Sequence, residues 1–475
     1  AMLFLGVVMM PFYYGSKVRS VPEFMRRRFG TGAHLVNALS FAVAQLLIAG
    51  VNLFLLGTIV NRLLGWPLWI TLIVAAAIVL SYITLGGLSA AIYNEVLQFF
   101  VIVAALLPLT LIGLNRVGGW DGLVDKVSND GMLGAEQLSS WPGEQLSGFS
   151  NPVLSVVGIV FGLGFVLSFG YWTTNFVEVQ RAMASKSINA ARLTPIIGAF
   201  PKMLIPFIVV IPGMIAAVLV PQMTQFKEIS ANIDEATALE QTGVTYNDAL
   251  LLLMREVLPN GLLGVAIAGL LAAFMAGMAA NISAFNTVFS YDLWQQYVVK
   301  DREDDYYLKI GRWATIGACV VAIFTALIAG NFSNLMDYLQ TLFGFFNAPL
   351  FATFILGMFW KRMSATAGWV GLVGGTLSAV FVFILAETGV LDLPGQGAAF
   401  LAASTAFVVD IVLSVIVTMF TTPKPAAELR GLVYTETPKS DFEDLSEPKP
   451  PVWKRPVPIA GVALVLVIIL NVTFG

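Results

Sequence analysis

The sequence predicts an all-α, polytopic membrane protein of about twelve membrane helices, the first of them incomplete. Three observations carry that reading. Hydrophobic residues make up 57% of the 475-residue chain and charged residues only 12%, where a soluble domain carries about 25% charged residues. The apolar residues gather into runs of about 20 residues or more, the length a helix needs to cross a hydrocarbon core about 30 Å thick. The alternating ten-residue segments of a membrane β-barrel are absent.

The chain opens "AMLFLGVVMMPFYY". About 14 helical residues reach roughly 21 Å, too short to span. No basic segment precedes this run and no small-residue cleavage site follows it, so it does not read as a signal peptide. It reads as the second half of a spanning helix, which makes the chain truncated upstream. Spans follow at 34–62, 67–85 and 88–114. A polar external loop at 115–152 leads to spans at 153–173 and 193–220, and a second external loop covers 221–259. Spans at 260–290, 306–330, 334–360, 363–387 and 397–421 come next. A Pro-rich linker of mixed charge at 422–456 precedes the last span, 457–475.

The loops alternate in charge. Basic residues concentrate in 15–33, 174–192, 299–313, Lys361–Arg362 and 422–456, whereas loop 221–259 carries Glu228, Asp234, Glu235, Glu240, Asp248 and Glu256. Basic loops stay in the cytoplasm, so the C-terminus falls outside. The protein reads as multi-pass, in a bacterial inner membrane. The single cysteine, Cys319, excludes an internal disulfide and a Cys-based metal site. The single histidine, His34, reads as an interfacial residue at a helix start. A net charge of -3 points to no nucleic-acid partner.

Ionisable groups inside membrane segments are expensive and mark functional sites. Lys202 lies at mid-membrane depth in "GAFPKMLIPFIVVIPG", among Pro201, Pro206 and Pro212. These prolines free backbone carbonyls and suit a cavity-lining helix; snorkelling to a headgroup is the alternative. In "GIVFGLGFVLSFGYWTTNF" the glycines suit either close packing or a helix that unwinds near Gly170–Asn175, beside Tyr171 and Trp172. In 334–360, Gln340 sits a turn deeper than Asp337 and is the better pocket candidate; Asn347 follows it. Asp410 is intramembrane without an evident partner. Glu95 starts a helix near the cytoplasm, where a first-turn acid is favoured by the helix dipole. Along Gly269–Tyr297, Ala273, Ala276, Gly277 and Ala280 share one face, and Ser283, Thr287 and Ser290 continue it toward the cytoplasmic end.

Four stretches, "SVPEFMRRRF", "GGLSAAIYNEVLQ", "YWTTNFVEVQRAMASKS" and "LGMFWKRMSATAGWVG", occur in this order. Together they resemble the sodium/solute symporter family, which includes the sodium/glucose co-transporters, over nearly the whole chain. The resemblance implies the leucine-transporter-like fold: two inverted five-helix repeats, each opening on a broken helix. It implies that 1–114 is the remainder of the first repeat, whose own broken helix precedes residue 1. The second repeat would then be 153–360, two additional helices 361–421, a linker 422–456 and a final helix 457–475. By the same resemblance Tyr171 covers the solute, with Lys202 and Gln340 in the pocket and Trp172 and Asn175 beside them. Ser168 stands where sugar carriers have asparagine. Glu95 replaces an aspartate near the ion site, and Asn94 a threonine. The sodium site departs most. The family's carbonyl and paired hydroxyls match Ala273, Ala276 and Gly277, which offer only backbone oxygen to a hard cation.

The expectation is a secondary transporter that moves a small organic solute, a sugar or polyol, by alternating access, with sodium as the family's coupling ion and no organic cofactor. A proton-coupled or uncoupled carrier of a small carboxylate is the alternative, as is a transporter-like solute sensor. No nucleophile, metal cluster or acid–base pair assembles to make an enzyme. Substrate identity and oligomeric state stay open.

Overall fold

A computed structural model describes residues 1–129, 138, 158–332, 334–391, 393, 396–442 and 451–474. Most of the expected external loop 115–152, the start of the 153–173 span and part of the 422–456 linker lie outside these residues. The described chain is helical: α1 (Met2–Ser16), α2 (Val21–Phe29), α3 (Thr31–Leu64), α4 (Leu68–Val117) and α5 (Gly119–Ser128) come first. After them run α6 (Gly158–Thr174), α7 (Phe176–Met183), α8 (Ile188–Leu219), α9 (Pro221–Asn232), α10 (Glu235–Thr242) and α11 (Ala249–Val257). The chain continues through α12 (Asn260–Val298), α13 (Asp304–Ala329), α14 (Leu335–Phe359), α15 (Ala365–Glu387), α16 (Gly397–Phe420) and α17 (Pro456–Thr473).

Among the described residues nine helices are long and apolar enough to cross a membrane, and α6 with α7 forms a tenth span bent by 46°. The shorter apolar stretches Met2–Ser16 and Leu68–Thr84 fall where further spans are expected.

The sequence divides 67–114 into two spans, whereas the backbone runs helically through all of α4. It is not a straight rod. The Tyr82 hydroxyl donates to the Met275 carbonyl at 3.1 Å, while Ala105 fills the space beside Gly269. Met275 and Gly269 are about 9 Å apart along α12, but Tyr82 and Ala105 would be roughly 35 Å apart on a straight helix. The helix therefore bends sharply between them, in the stretch where the two spans are expected to meet. Gly269 matters here because a Cβ at that position would sit 2.3 Å from the Ala105 Cβ; small residues let membrane helices approach this closely.

Local signals explain the helix ends. Ser20 caps α2 by accepting from the Glu23 amide at 3.0 Å, with Pro22 in the first turn and Arg26, Arg27 and Arg28 in the last. Ser187 and Ser364 cap α8 and α15 in the same way. The largest buried cluster joins α1, α2 and α14, where Phe24 meets Phe354 at 4.4 Å and Phe12 meets Phe24 at 5.6 Å. Beneath it Arg28 is fully buried. It donates to the carbonyls of Gly357 (3.0 Å) and Trp360 (3.2 Å), satisfying the C-terminal end of α14. Burial lowers the Arg28 guanidinium to about 10.

Candidate functional site

The break between α6 and α7 organises the site. The residues Gly158–Phe169 wind as a wide π-helical stretch, Gly170–Thr174 continue as α-helix, and the chain turns at Asn175. The break thus lies at the far edge of the segment the sequence marks, after the glycines rather than among them. Asn175 has extended backbone angles, and its Oδ1 accepts from the Val177 amide at 3.0 Å. A side chain expected in the pocket is therefore buried as the N-cap of α7. Helix α1 braces the break: the Tyr13 hydroxyl donates to the Thr173 carbonyl at 2.7 Å, and Phe4 packs on Phe169 at 5.6 Å.

Just before the turn, Tyr171 and Trp172 meet edge to face at 5.8 Å. The Lys202 ammonium stands 4.0 Å from the centre of the Trp172 ring, a cation–π contact on an aromatic face. The Tyr171 ring packs on Phe343 of α14 at 5.0 Å. Phe343 lies one turn beyond Gln340, which is buried, so α14 brings that residue to the same region. Ser168 is half-buried one turn before Tyr171. The structure thus groups Tyr171, Trp172 and Lys202 directly, with Gln340 and Ser168 one turn from the contact.

Two charged residues that sequence reasoning passes over complete the cluster. Glu178, in the first turn of α7, accepts from the Tyr171 hydroxyl at 3.0 Å. Arg181, one turn further, forks onto Glu95 of α4 at 2.6 and 2.9 Å and donates to the Val177 carbonyl at 2.7 Å. Tyr171 and Glu178 lie seven positions apart on either side of the break at Asn175. Because the pair meets across a break, no helical spacing in the sequence signals it.

On α12, Ala273, Ala276 and Gly277 are half-buried. Beside Gly277 lies Asn52 of α3, whose Oδ1 would be 2.4 Å from an added Cβ. The Gly277 carbonyl accepts from Asn281 Nδ2 at 2.8 Å. Further along, Thr287 accepts from Gln180 Nε2 of α7 at 2.9 Å. Beyond it a polar cavity of about 550 Å³ opens among Arg19, Arg26, Thr287, Tyr291 and Asp292. His34 begins α3 as expected, and it is enclosed by protein. It is fully buried, with its ring nitrogens 3.2 Å from Asp292 and 2.6 Å from Tyr297. Ser20 donates to the same Asp292 carboxylate. Among the described residues no group of three or more His, Cys, Asp or Glu could hold a metal ion.

The family model described as "Sodium:solute symporter family" matches residues 1–375. The chain belongs to the sodium:solute symporter family. It is 27% identical to the sodium/glucose cotransporter of Vibrio parahaemolyticus over 80% of this chain and 69% of that protein. It is 29% identical to the sodium/myo-inositol cotransporter 2 of Mus musculus over 81% of this chain and 58% of that one. The chain thus spans roughly three fifths to seven tenths of these symporters' own length. A Na+-coupled sialic acid symporter, solved in a substrate-bound outward-open state, shares the fold with a TM-score of 0.67. It is 18% identical and is covered over 81%, against 88% of this chain. The expected membership and the all-α, leucine-transporter-like fold both stand. These relatives are symporters, not enzymes.

Proposed function

We propose that the protein is a secondary transporter that carries a sugar or polyol across a membrane by alternating access, with the solute held at Tyr171, Trp172, Lys202 and Gln340. The observation that carries this is the Lys202 ammonium over Trp172 at 4.0 Å, beside Tyr171 and directly before the break at Asn175. A broken helix supplies free backbone groups and a pivot. An aromatic pair gives a flat surface for an apolar ring face, and the ammonium offers hydrogen bonds to hydroxyls. The sugar and inositol specificities in the relatives' names support the same substrate class. In this reading α1 to α4 are the remainder of the first repeat and α6 to α14 the second, in a plasma membrane with the C-terminus outside.

Coupling is the separate question. The family expectation is sodium symport, and Ala273, Ala276 and Gly277 mark the matching positions with Glu95 nearby. Two observations favour weak sodium coupling, or proton-coupled or uncoupled transport. Ala276 and Gly277 carry no hydroxyl, and the Gly277 carbonyl already accepts from Asn281. Uptake of labelled hexose and inositol into proteoliposomes tests both parts. Uptake that Lys202→Ala leaves unchanged for every carried solute would sink the pocket assignment. Uptake that collapses when sodium is replaced by choline or potassium would restore sodium as the coupling ion.

A further inference from the structure

His34 is the one histidine of the chain, and the reading so far gives it no part. It is fully buried between a carboxylate and a phenol. Its Nε2 stands 3.2 Å from Asp292 Oδ1, and its Nδ1 stands 2.6 Å from the Tyr297 hydroxyl. Each partner leads to water. Asp292 lines the polar cavity of about 550 Å³, and Tyr297 is 39% exposed near the end of α12. The segments that flank the cavity, 15–33 and 299–313, are basic, which puts the cluster on the cytoplasmic side.

Every link in this chain survives the arrival of a proton. With a neutral ring, Nε2–H donates to Asp292 and Nδ1 accepts from the Tyr297 hydroxyl. With a charged ring, Nδ1–H donates instead, and Tyr297 turns its own hydrogen to water. The change needs only that Tyr297 pass its hydrogen to Nδ1 and take another from water, so the phenol ends as it began. A buried imidazolium is costly without a counter-charge, but here a carboxylate already stands at Nε2. Ser20 donates to both oxygens of that carboxylate, at 2.8 and 2.9 Å. Arg19, Glu23, Arg26 and Arg27, in and before α2, line the same cavity with Tyr291 and Asp304. Glu23 pairs with Arg27, Arg26 donates to Gln296 at 2.7 Å, and Arg28 is turned to the carbonyls of α14. Helices α14 and α15 pack on the first turns of α3. They carry titratable groups only at their far ends, Asp337 and Tyr338 on one and Glu387 on the other. Among the described residues, Asp292 is the group that ion-pairs with the ring.

We propose that His34 is a proton-binding site at the cytoplasmic mouth: it takes a proton from water through Tyr297, and the imidazolium cancels the Asp292 charge at the cavity wall and tightens the tie from α12 to the starts of α2 and α3. Imidazole is the side chain whose unperturbed titration falls between about pH 5 and 8. Asp292 is the shared anchor, because Ser20 caps α2 and His34 lies in the first turn of α3. Protonation turns the bond from Nε2 into a charge-assisted one, which holds three helix ends together more firmly. Solute exchange through that mouth should then slow as the cytoplasmic side becomes acid. The consequence for transport rests on the reading under Proposed function; the proton site itself does not.

Because the chain has one histidine, isotope-labelled ring nitrogens in the purified full chain report His34 alone by NMR. From about pH 8 to about pH 5 the signals are expected to pass from one ring-bound hydrogen to two. A ring that keeps one form across that range overturns the inference, and this readout needs no variant. Asp292→Asn removes the counter-charge, and the same change should need roughly tenfold more protons, the scale of one close charge pair. Folded Asp292→Asn protein that titrates with wild type overturns the pairing. Tyr297→Phe should slow exchange between the two forms; equally fast exchange removes Tyr297 from the path. Hexose counterflow in proteoliposomes, at equal pH on both sides, reads the consequence. It should slow toward acid pH in wild type and lose that dependence in His34→Gln, and equal slowing in both overturns the tightening. Wild-type protein without counterflow at any pH sinks the transport reading and leaves the ring titration to stand or fall by itself.

Discussion

Asn281 donates its side-chain amide to the carbonyl of Gly277 at 2.8 Å, so the backbone oxygen left at the hydroxyl-free family position already has a donor. The flank of the same glycine is closed by Asn52, itself fixed by a bond from Nδ2 to the Ile48 carbonyl at 3.0 Å. Restoring a hydroxyl is therefore a packing problem before it is an ion-binding one. Gly277→Ser puts a Cβ 2.4 Å from Asn52 Oδ1 and is expected to destabilise by about 1–3 kcal/mol, as overpacking does. Asn52→Ala in the same chain should recover most of that loss. Thermal melting of the single and double variants in detergent checks it; equal destabilisation with and without Asn52 would show that the crowding lies elsewhere.

The fork of Arg181 onto Glu95 joins α7 to α4 across half-buried side chains. Glu95→Gln removes the charge and leaves an amide where the guanidinium needs two acceptors. A loss of about 1–3 kcal/mol is expected, in the range for hydrogen bonds to charged groups. Arg181→Lys should lose a similar amount, because an ammonium cannot make the two-pronged contact. A double-mutant cycle read by thermal melting gives the coupling directly, and a coupling near zero would mean that the pair is ornamental.

What could be read from the sequence divides along physical lines. The break near Asn175 is legible because its signals are local: glycines, aromatics and a residue that caps helices well. Its position slips by a few residues because a glycine-rich stretch can also wind, here as a wide helix over Gly158–Phe169. The spans are legible because lipid demands long apolar runs. That α4 continues helically where a turn is expected is marked by no pattern within 67–114. The ion pair from Glu95 to Arg181 joins positions 86 residues apart, and Arg28 reaches Gly357 across 329. Such pairs leave no periodic trace. The place of His34 at a helix start beside the basic segment is local, but its partner Asp292 lies far along the chain.

Outside the membrane segments, Asp234 supplies a pH-dependent contact. It caps α10, and hydrogen bonds from the Thr237 amide (2.7 Å) and hydroxyl (2.9 Å) hold its carboxyl below the ordinary range. Because the folded value is depressed, the contribution is present above the ordinary carboxylate range and is lost as pH falls through the lowered value. Amide exchange across Glu235–Thr242 should therefore speed up, relative to its intrinsic rate, as pH drops below about 4. In Asp234→Asn, which still caps but does not titrate, protection should stay level over the same range. Identical acid behaviour in both proteins would assign the effect to another group.

Asp410 is fully buried where α14, α15 and α16 meet. Thr353 donates to one of its oxygens at 2.6 Å and Ser414 to the other at 3.1 Å. Ser414 also lies 3.3 Å from the Ala367 carbonyl of α15. Lipid supplies no replacement acceptor, so the Thr353 hydroxyl depends on that side chain, whereas Ser414 can turn to the Ala367 carbonyl. Asp410→Ala strands the Thr353 hydroxyl and opens a small void, and a loss of about 1–3 kcal/mol is expected for the unsatisfied group. Asp410→Asn keeps an acceptor for Thr353, and Ser414 can rotate to accept from the new amide, so it should melt close to wild type. The ordering of the two variants is the test. If Asp410→Ala melts with wild type while Asp410→Asn falls well below it, the three-helix staple is wrong, and the carboxyl's role depends on its charge instead.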